Sequence, residues 1–230
     1  CIVFHGHGGF VVGSEMSGGV KNVNVTNCVF SGTDVGLRFK STRGRGGVVE
    51  NIYIDNIAMC NIAQEALLFD LFYGGKSASE AFAAGEDAEP TDLALKPVDE
   101  TTPAFRDIHI SNVWCRGARR AMYFNGLPEM NVERVTVENA RVYAQTGAQI
   151  NESTSVLLRN VTVVPEKGPA LMVNNVKDLT VENFTCPEGM ECALTVTGSR
   201  NRNVQIGSAR ITPENALLSK GAAKAVTIGK

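Results

Sequence analysis

Val23-Asn24-Val25-Thr26-Asn27 is a short alternating segment that closes on asparagine. The same design returns as Ile52-Tyr53-Ile54-Asp55-Asn56, Ile108-His109-Ile110-Ser111-Asn112, Val135-Thr136-Val137-Glu138-Asn139, Leu157-Leu158-Arg159-Asn160 and Leu179-Thr180-Val181-Glu182-Asn183. Period-two alternation predicts strands with one face inward, and a second short apolar run such as Val161-Thr162-Val163 soon follows each segment. The closing asparagines stand 29, 56, 27, 21 and 23 positions apart. Spacing in the twenties, with several short strands per period and no amphipathic helix between, predicts an all-β parallel β-helix with coils about 4.8 Å apart. Equivalent asparagines then lie above one another and hand a hydrogen bond from amide to amide.

The 56-residue interval carries an insertion. From 75 to 104 the alternation stops, and Glu80 to Glu100 holds seven acidic residues against the single Lys96. We read residues 1–230 as one β-helix domain, with 75–104 as an acidic, solvated loop leaving it. Because the first residues, Cys1-Ile2-Val3-Phe4, already form a strand pattern without Met, the amino-terminal coils are expected to be missing. Unpaired strand edges at such an end favour end-to-end self-association.

Lysine and arginine number 22 against 24 acidic residues, a formal charge of −2, so no global field argues for nucleic acid. No run of apolar residues is long enough to span a bilayer. The six cysteines, Cys1, Cys28, Cys60, Cys115, Cys186 and Cys192, form no C-x-x-C pair, so neither a metal site nor any cofactor is expected. Most sit among alternating apolar residues as small buried hydrophobes. Cys186 and Cys192, flanking Pro187-Glu188-Gly189, are the one pair positioned to close a disulfide loop.

The chemistry gathers near the start, in His5-Gly6-His7-Gly8-Gly9, then Arg38-Phe39-Lys40, then Arg43-Gly44-Arg45-Gly46. Alternation around Phe39 sends Arg38 and Lys40 to one side and Phe39 to the other. An arginine fork beside a lysine point charge suits a carboxylate ligand. If the strand ending at Val12 and the strand 37–40 share a face in successive coils, His7, Arg38 and Lys40 come within a few side-chain lengths. The glycines at 6, 8 and 9 are read as room for a ligand beside the imidazole.

Gly6-His7-Gly8, Gly13-Ser14 and Arg38-Phe39-Lys40 in a parallel β-helix resemble the carboxy-terminal half of glycoside hydrolase family 28, the polygalacturonases and related pectin hydrolases. Phe39 replaces the isoleucine of the family's Arg-Ile-Lys motif. The run Gly6 to Gly19 most resembles the bacterial, often exo-acting, branch, and the likeness extends through Ala121 to Pro128. The resemblance implies a right-handed, single-stranded, pectin-lyase-like solenoid that cleaves α-1,4-galacturonide links by inverting hydrolysis. It also implies acidic polysaccharide (pectin, oligogalacturonides) as the partner and a secreted or periplasmic location. Inverting hydrolysis needs an acid and a base roughly 6.5–9.5 Å apart. The family draws these from Asn-Thr-Asp and Asp-Asp motifs upstream of Gly-His-Gly, and this sequence contains neither. Asp34 lies downstream of His7, does not match them, and is assigned no role. By resemblance, His7 supports the catalytic carboxylates, Arg38 and Lys40 hold the substrate carboxylate, and Tyr73 contacts substrate. Two readings follow: part of a hydrolase whose acids lie elsewhere, so that this chain alone is inactive, or a non-catalytic oligogalacturonate-binding β-helix.

Overall fold

The alternating segments fold as expected into strands, and every pairing between strands is parallel. A computed structural model of the chain describes residues 1–73 and 94–229. In chain order the strands are β1 (Ile2–Phe4), β2 (Phe10–Val12), β3 (Val20–Ser31), β4 (Leu37–Lys40), β5 (Val48–Asp70), β6 (Ala104–Asn125), β7 (Val132–Ala144), β8 (Thr146–Asn151), β9 (Ser153–Pro165), β10 (Leu171–Asn174), β11 (Lys177–Glu182), β12 (Leu194–Thr197), β13 (Arg202–Gly207), β14 (Ala216–Leu218) and β15 (Val226–Gly229). One ladder runs β2-β4-β5-β6-β8-β10-β12-β14 and the other runs β3-β5-β6-β7-β9-β11-β13-β15. The long strands β5 and β6 belong to both. This is a parallel β-helix, and no α-helix occurs among the described residues.

Why the chain coils can be read from its asparagines. Asn27, Asn56, Asn112, Asn139, Asn160 and Asn183 all lie at φ between 51° and 56°, the left-handed region that asparagine tolerates better than other residues with a side chain. Each therefore turns a corner. Their amides also stack: Asn56 donates to Asn27 at 2.6 Å, Asn139 to Asn112 at 3.3 Å, Asn160 to Asn139 at 3.0 Å and Asn183 to Asn160 at 2.9 Å. The ladder breaks once, where the Asn112 amide turns to the Asp55 carboxylate at 2.7 Å. Hydrogen bonding to Ser111 and Asn112 holds that carboxyl below the usual aspartate range. The corners do not end strands as the sequence suggested. β5 passes through Asn51, Asn56 and Asn61, because a single left-handed residue bends the chain while its neighbours keep their interstrand bonds.

The core is a set of stacked columns. Val12, Phe39, Phe69, Phe124, Ile150, Val173, Val196 and Leu218 follow one another in register. Phe39 and Phe69 stack at 4.7 Å with their planes 1° apart, and Phe69 meets Phe124 edge-on at 4.6 Å. Each fully buried Phe is worth roughly 1.5–3 kcal/mol of apolar transfer. All six cysteines are free thiols, so the Cys186–Cys192 loop is not closed by a disulfide. Most of the 75–104 insertion lies outside the described residues. Its described end, Ala94 to Thr101, is exposed, and the Thr101 carbonyl accepts from Gly44 and Gly46 at 3.0 and 2.8 Å. Pro213–Asn215 form a 3-10 turn leading into β14, which extends the first ladder.

Candidate functional site

Three successive coils build the site. Pairing of β2 with β4 sets Phe10 beside Leu37 and Val11 beside Arg38. That step is 27 positions, and the same step carries His7 to Asp34, whose Oδ2 lies 2.8 Å from the imidazole Nδ1. Alternation along β4 puts Phe39 in the core at 0% exposure and turns Arg38 and Lys40 outward. Yet the outward pair is not solvated: Arg38 is 8% and Lys40 9% exposed. Tyr73 contributes to the cover. Its N–H donates to the Ser41 carbonyl at 3.0 Å, and the Lys40 Nζ lies 4.2 Å and the Arg38 Cζ 5.8 Å from its ring centroid. A cation over an aromatic face gains about 0.5–2 kcal/mol. His7, Arg38, Lys40 and Tyr73 therefore meet in one place, and Asp34 joins them.

The hydrogen bonds fix the state of the imidazole. Arg38 Nη1 lies 2.8 Å from His7 Nε2. A guanidinium only donates, so Nε2 accepts, and the ring proton sits on Nδ1, where it is donated to Asp34. With Nη1 committed to His7, Arg38 Nε has no hydrogen-bond partner among the described residues.

The cations near the site divide into two groups. Arg43 forks onto Glu129 at 2.6 and 2.9 Å and covers the Phe72 ring at 5.4 Å. Burial pushes the Glu129 carboxyl up, but the Arg43 hydrogen bond, backbone hydrogen bonds and the Arg43 charge together outweigh it and leave it below the usual glutamate range. Arg45 stands 3.8 Å from Glu15. These two arginines are thus occupied in holding loops. Around Arg38 and Lys40, by contrast, the described residues place no carboxylate within ion-pair distance. Poorly solvated cations without a counter-ion are costly, and an anion seated between them would offset that cost.

The glycines do a different job from the one expected of them. A Cβ on Gly9 would stand 2.3 Å from the Phe30 ring, and one on Gly8 would stand 2.2 Å from Val11. They make room for the chain's own packing, not for a ligand. Gly13, at φ +93°, matters most to the site, because a Cβ there would lie 1.9 Å from the Lys40 carbonyl oxygen. A separate cleft of about 430 Å³, lined by Asn61, Arg119, Tyr143, Gln145 and Glu166 among others, contains none of the four expected site residues.

Asp34, which the motif comparison assigns no role, is the further residue the structure brings to the site. The signal was the coil step itself: adding 27 to His7 lands on Asp34, as adding 27 to Phe10 lands on Leu37.

Residues 1–111, just under half of the chain, match the family model of glycosyl hydrolases family 28. The chain is 46% identical to a polygalacturonase of Ralstonia nicotianae over 74 residues, covering 30% of this chain and 14% of the relative. It is 42% identical over 69 residues to an exo-poly-alpha-D-galacturonosidase of Dickeya chrysanthemi, covering 30% and 12%. An endo-polygalacturonase of Pectobacterium parmentieri is 39% identical over 97 residues, covering 42% and 22%. The matched stretches thus span less than a quarter of each of these relatives. No solved structure gives a significant match.

Proposed function

We propose that this chain carries the substrate-carboxylate clamp of a polygalacturonase-type glycosidase acting on α-1,4-galacturonide links. In this reading Arg38 and Lys40 grip the carboxylate of a galacturonate residue, Tyr73 orders both cations and lines the subsite, and His7 steers Arg38. The observation that carries it is the outward pair at 8% and 9% exposure, with Arg38 Nε unpartnered and no described counter-carboxylate. Arginine and lysine side by side recognise a carboxylate that a neutral sugar lacks. The similarity of residues 1–111 to family 28 supports the substrate class.

The acid and base of hydrolysis are not assigned to these residues, because the sequence holds no Asn-Thr-Asp and no Asp-Asp. A second reading, oligogalacturonate binding without cleavage, draws support from the same fact and from His7, whose two ring nitrogens are already engaged by Asp34 and Arg38. Release of reducing ends from polygalacturonate tests the assignment. The chain alone should release none while still binding trigalacturonate. Release that disappears in His7→Ala would instead put an acid and base within these residues and overturn the placement.

A further inference from the structure

The imidazole of His7 poses a question that packing does not answer. Its side chain is 66% exposed and that of Asp34 is 45% exposed, so neither is oriented by burial. What orients His7 is one hydrogen bond at each ring nitrogen, both of 2.8 Å. We propose that Asp34 is a positioning residue: by accepting the proton of His7 Nδ1 it selects the tautomer whose Nε2 receives Arg38 Nη1, and so aims the guanidinium at an anionic ligand.

Donor and acceptor counting makes the link directional. Neutral imidazole carries one N–H, and in isolation it prefers to carry it on Nε2. In that form two N–H groups would face each other across the 2.8 Å between His7 and Arg38, and the contact would be lost. A carboxylate at Nδ1 reverses the preference, as carboxylates do for histidines that must present a chosen nitrogen. The backbone around Asp34 is held to make this possible. Its N–H donates to the Gly6 carbonyl at 3.0 Å, and its carbonyl accepts from Gln64 at 2.7 Å, so the residue is pinned to the coil on either side. The Thr33 hydroxyl donates to the Val35 carbonyl at 3.0 Å and stiffens the same turn.

The consequence falls on Arg38. Once Nη1 is taken by His7, the buried Nε, without a partner among the described residues, is left to donate to a carboxylate that enters beside it. Without the Nε2 acceptor Nη1 loses its hydrogen bond, and the guanidinium, whose Cζ lies 5.8 Å from the Tyr73 ring centroid, is released from that orientation. This inference rests on the proposed reading of Arg38 as a carboxylate-binding cation, but its first readout needs no ligand.

The test is nitrogen-15 NMR of the imidazoles at about pH 8.5, above the ordinary histidine range. The sequence has three histidines, and His7→Gln assigns the signals of His7 by their loss. Wild type and Asp34→Asn, whose amide oxygen still accepts, should show the Nδ1–H form, and Asp34→Ala should shift to Nε2–H. Calorimetry with trigalacturonate should then show Asp34→Ala about tenfold weaker than wild type, as for the loss of roughly one charge-assisted hydrogen bond, with Asp34→Asn within about threefold. Because Asp34 is half exposed, thermal melts of both variants should match wild type and exclude misfolding. Retention of the Nδ1–H form in Asp34→Ala, or a shift in Asp34→Asn equal to that in Asp34→Ala, overturns the proposal. If wild type fails to bind trigalacturonate, the proposed function fails, while the tautomer result still decides the role of Asp34.

Discussion

Replacing Asn160 separates the two jobs that the corner asparagines perform. Its amide donates to Asn139 at 3.0 Å and its carbonyl oxygen accepts from Asn183 at 2.9 Å, while its backbone sits at φ +53°. Asn160→Gly removes both hydrogen bonds but keeps a backbone at ease in the left-handed region. At the low end of about 0.5–1.5 kcal/mol per bond, as suits an exposed site, this costs roughly 1 kcal/mol. Asn160→Ala loses the same bonds and adds about 1 kcal/mol for a β-carbon at positive φ, reaching roughly 2 kcal/mol. For a chain of this length each kcal/mol lowers Tm by about 2–4 °C, so the glycine variant should melt about 2–4 °C below wild type and the alanine variant about 4–8 °C below. Differential scanning calorimetry, with urea midpoints as a second measure, gives the ordering. An alanine variant as stable as the glycine variant would show that the corner stores no conformational strain. Wild-type stability in both would show that the amide ladder contributes nothing.

Other substitutions probe the frame around the site. Glu129→Ala removes the two hydrogen bonds that the Arg43 guanidinium donates to this carboxylate at 2.6 and 2.9 Å, and should cost about 1.5–3 kcal/mol in urea unfolding. Because the folded Glu129 carboxyl lies below its ordinary range, its contribution is complete at neutral pH and fades as the pH falls through the ordinary glutamate range toward the lower folded value. Glu129→Gln should therefore flatten stability against pH on the acid side only. Phe39→Ala empties the centre of the aromatic column and should destabilise by about 3–5 kcal/mol in the same assay. Burial pushes the Cys115 thiol up to about 12, so iodoacetamide at about pH 8 should label the exposed Cys1 and leave Cys115 unmodified by peptide mapping.

Much of the coil could be read from the chain because a β-helix repeats a local rule. Inward Val, Ile and Leu at alternate positions mark the strands, and asparagine marks the corner because few other residues accept φ near +55°. Alternation also separated Arg38 and Lys40 from Phe39. What depends on register was harder to see. Asp34 was set aside on motif grounds although the coil step pointed to it, and the near-burial of Arg38 and Lys40 depends on Tyr73, which arrives only after a full turn of the coil. The pairing of Arg43 with Glu129, 86 positions apart and beyond the insertion, left no local pattern at all. The glycines around His7 were legible as close contacts but not as to what approaches: it is Phe30 and Val11, not a ligand.

The central claim is that Arg38 and Lys40 form a carboxylate clamp, and isothermal titration of trigalacturonate against its neutral galactose counterpart tests it most directly. Arg38→Ala and Lys40→Ala should each weaken trigalacturonate by about 1–3 kcal/mol, roughly five- to 150-fold, and leave the neutral sugar unchanged. Equal losses for both sugars, or wild-type affinity for trigalacturonate in either variant, would contradict it.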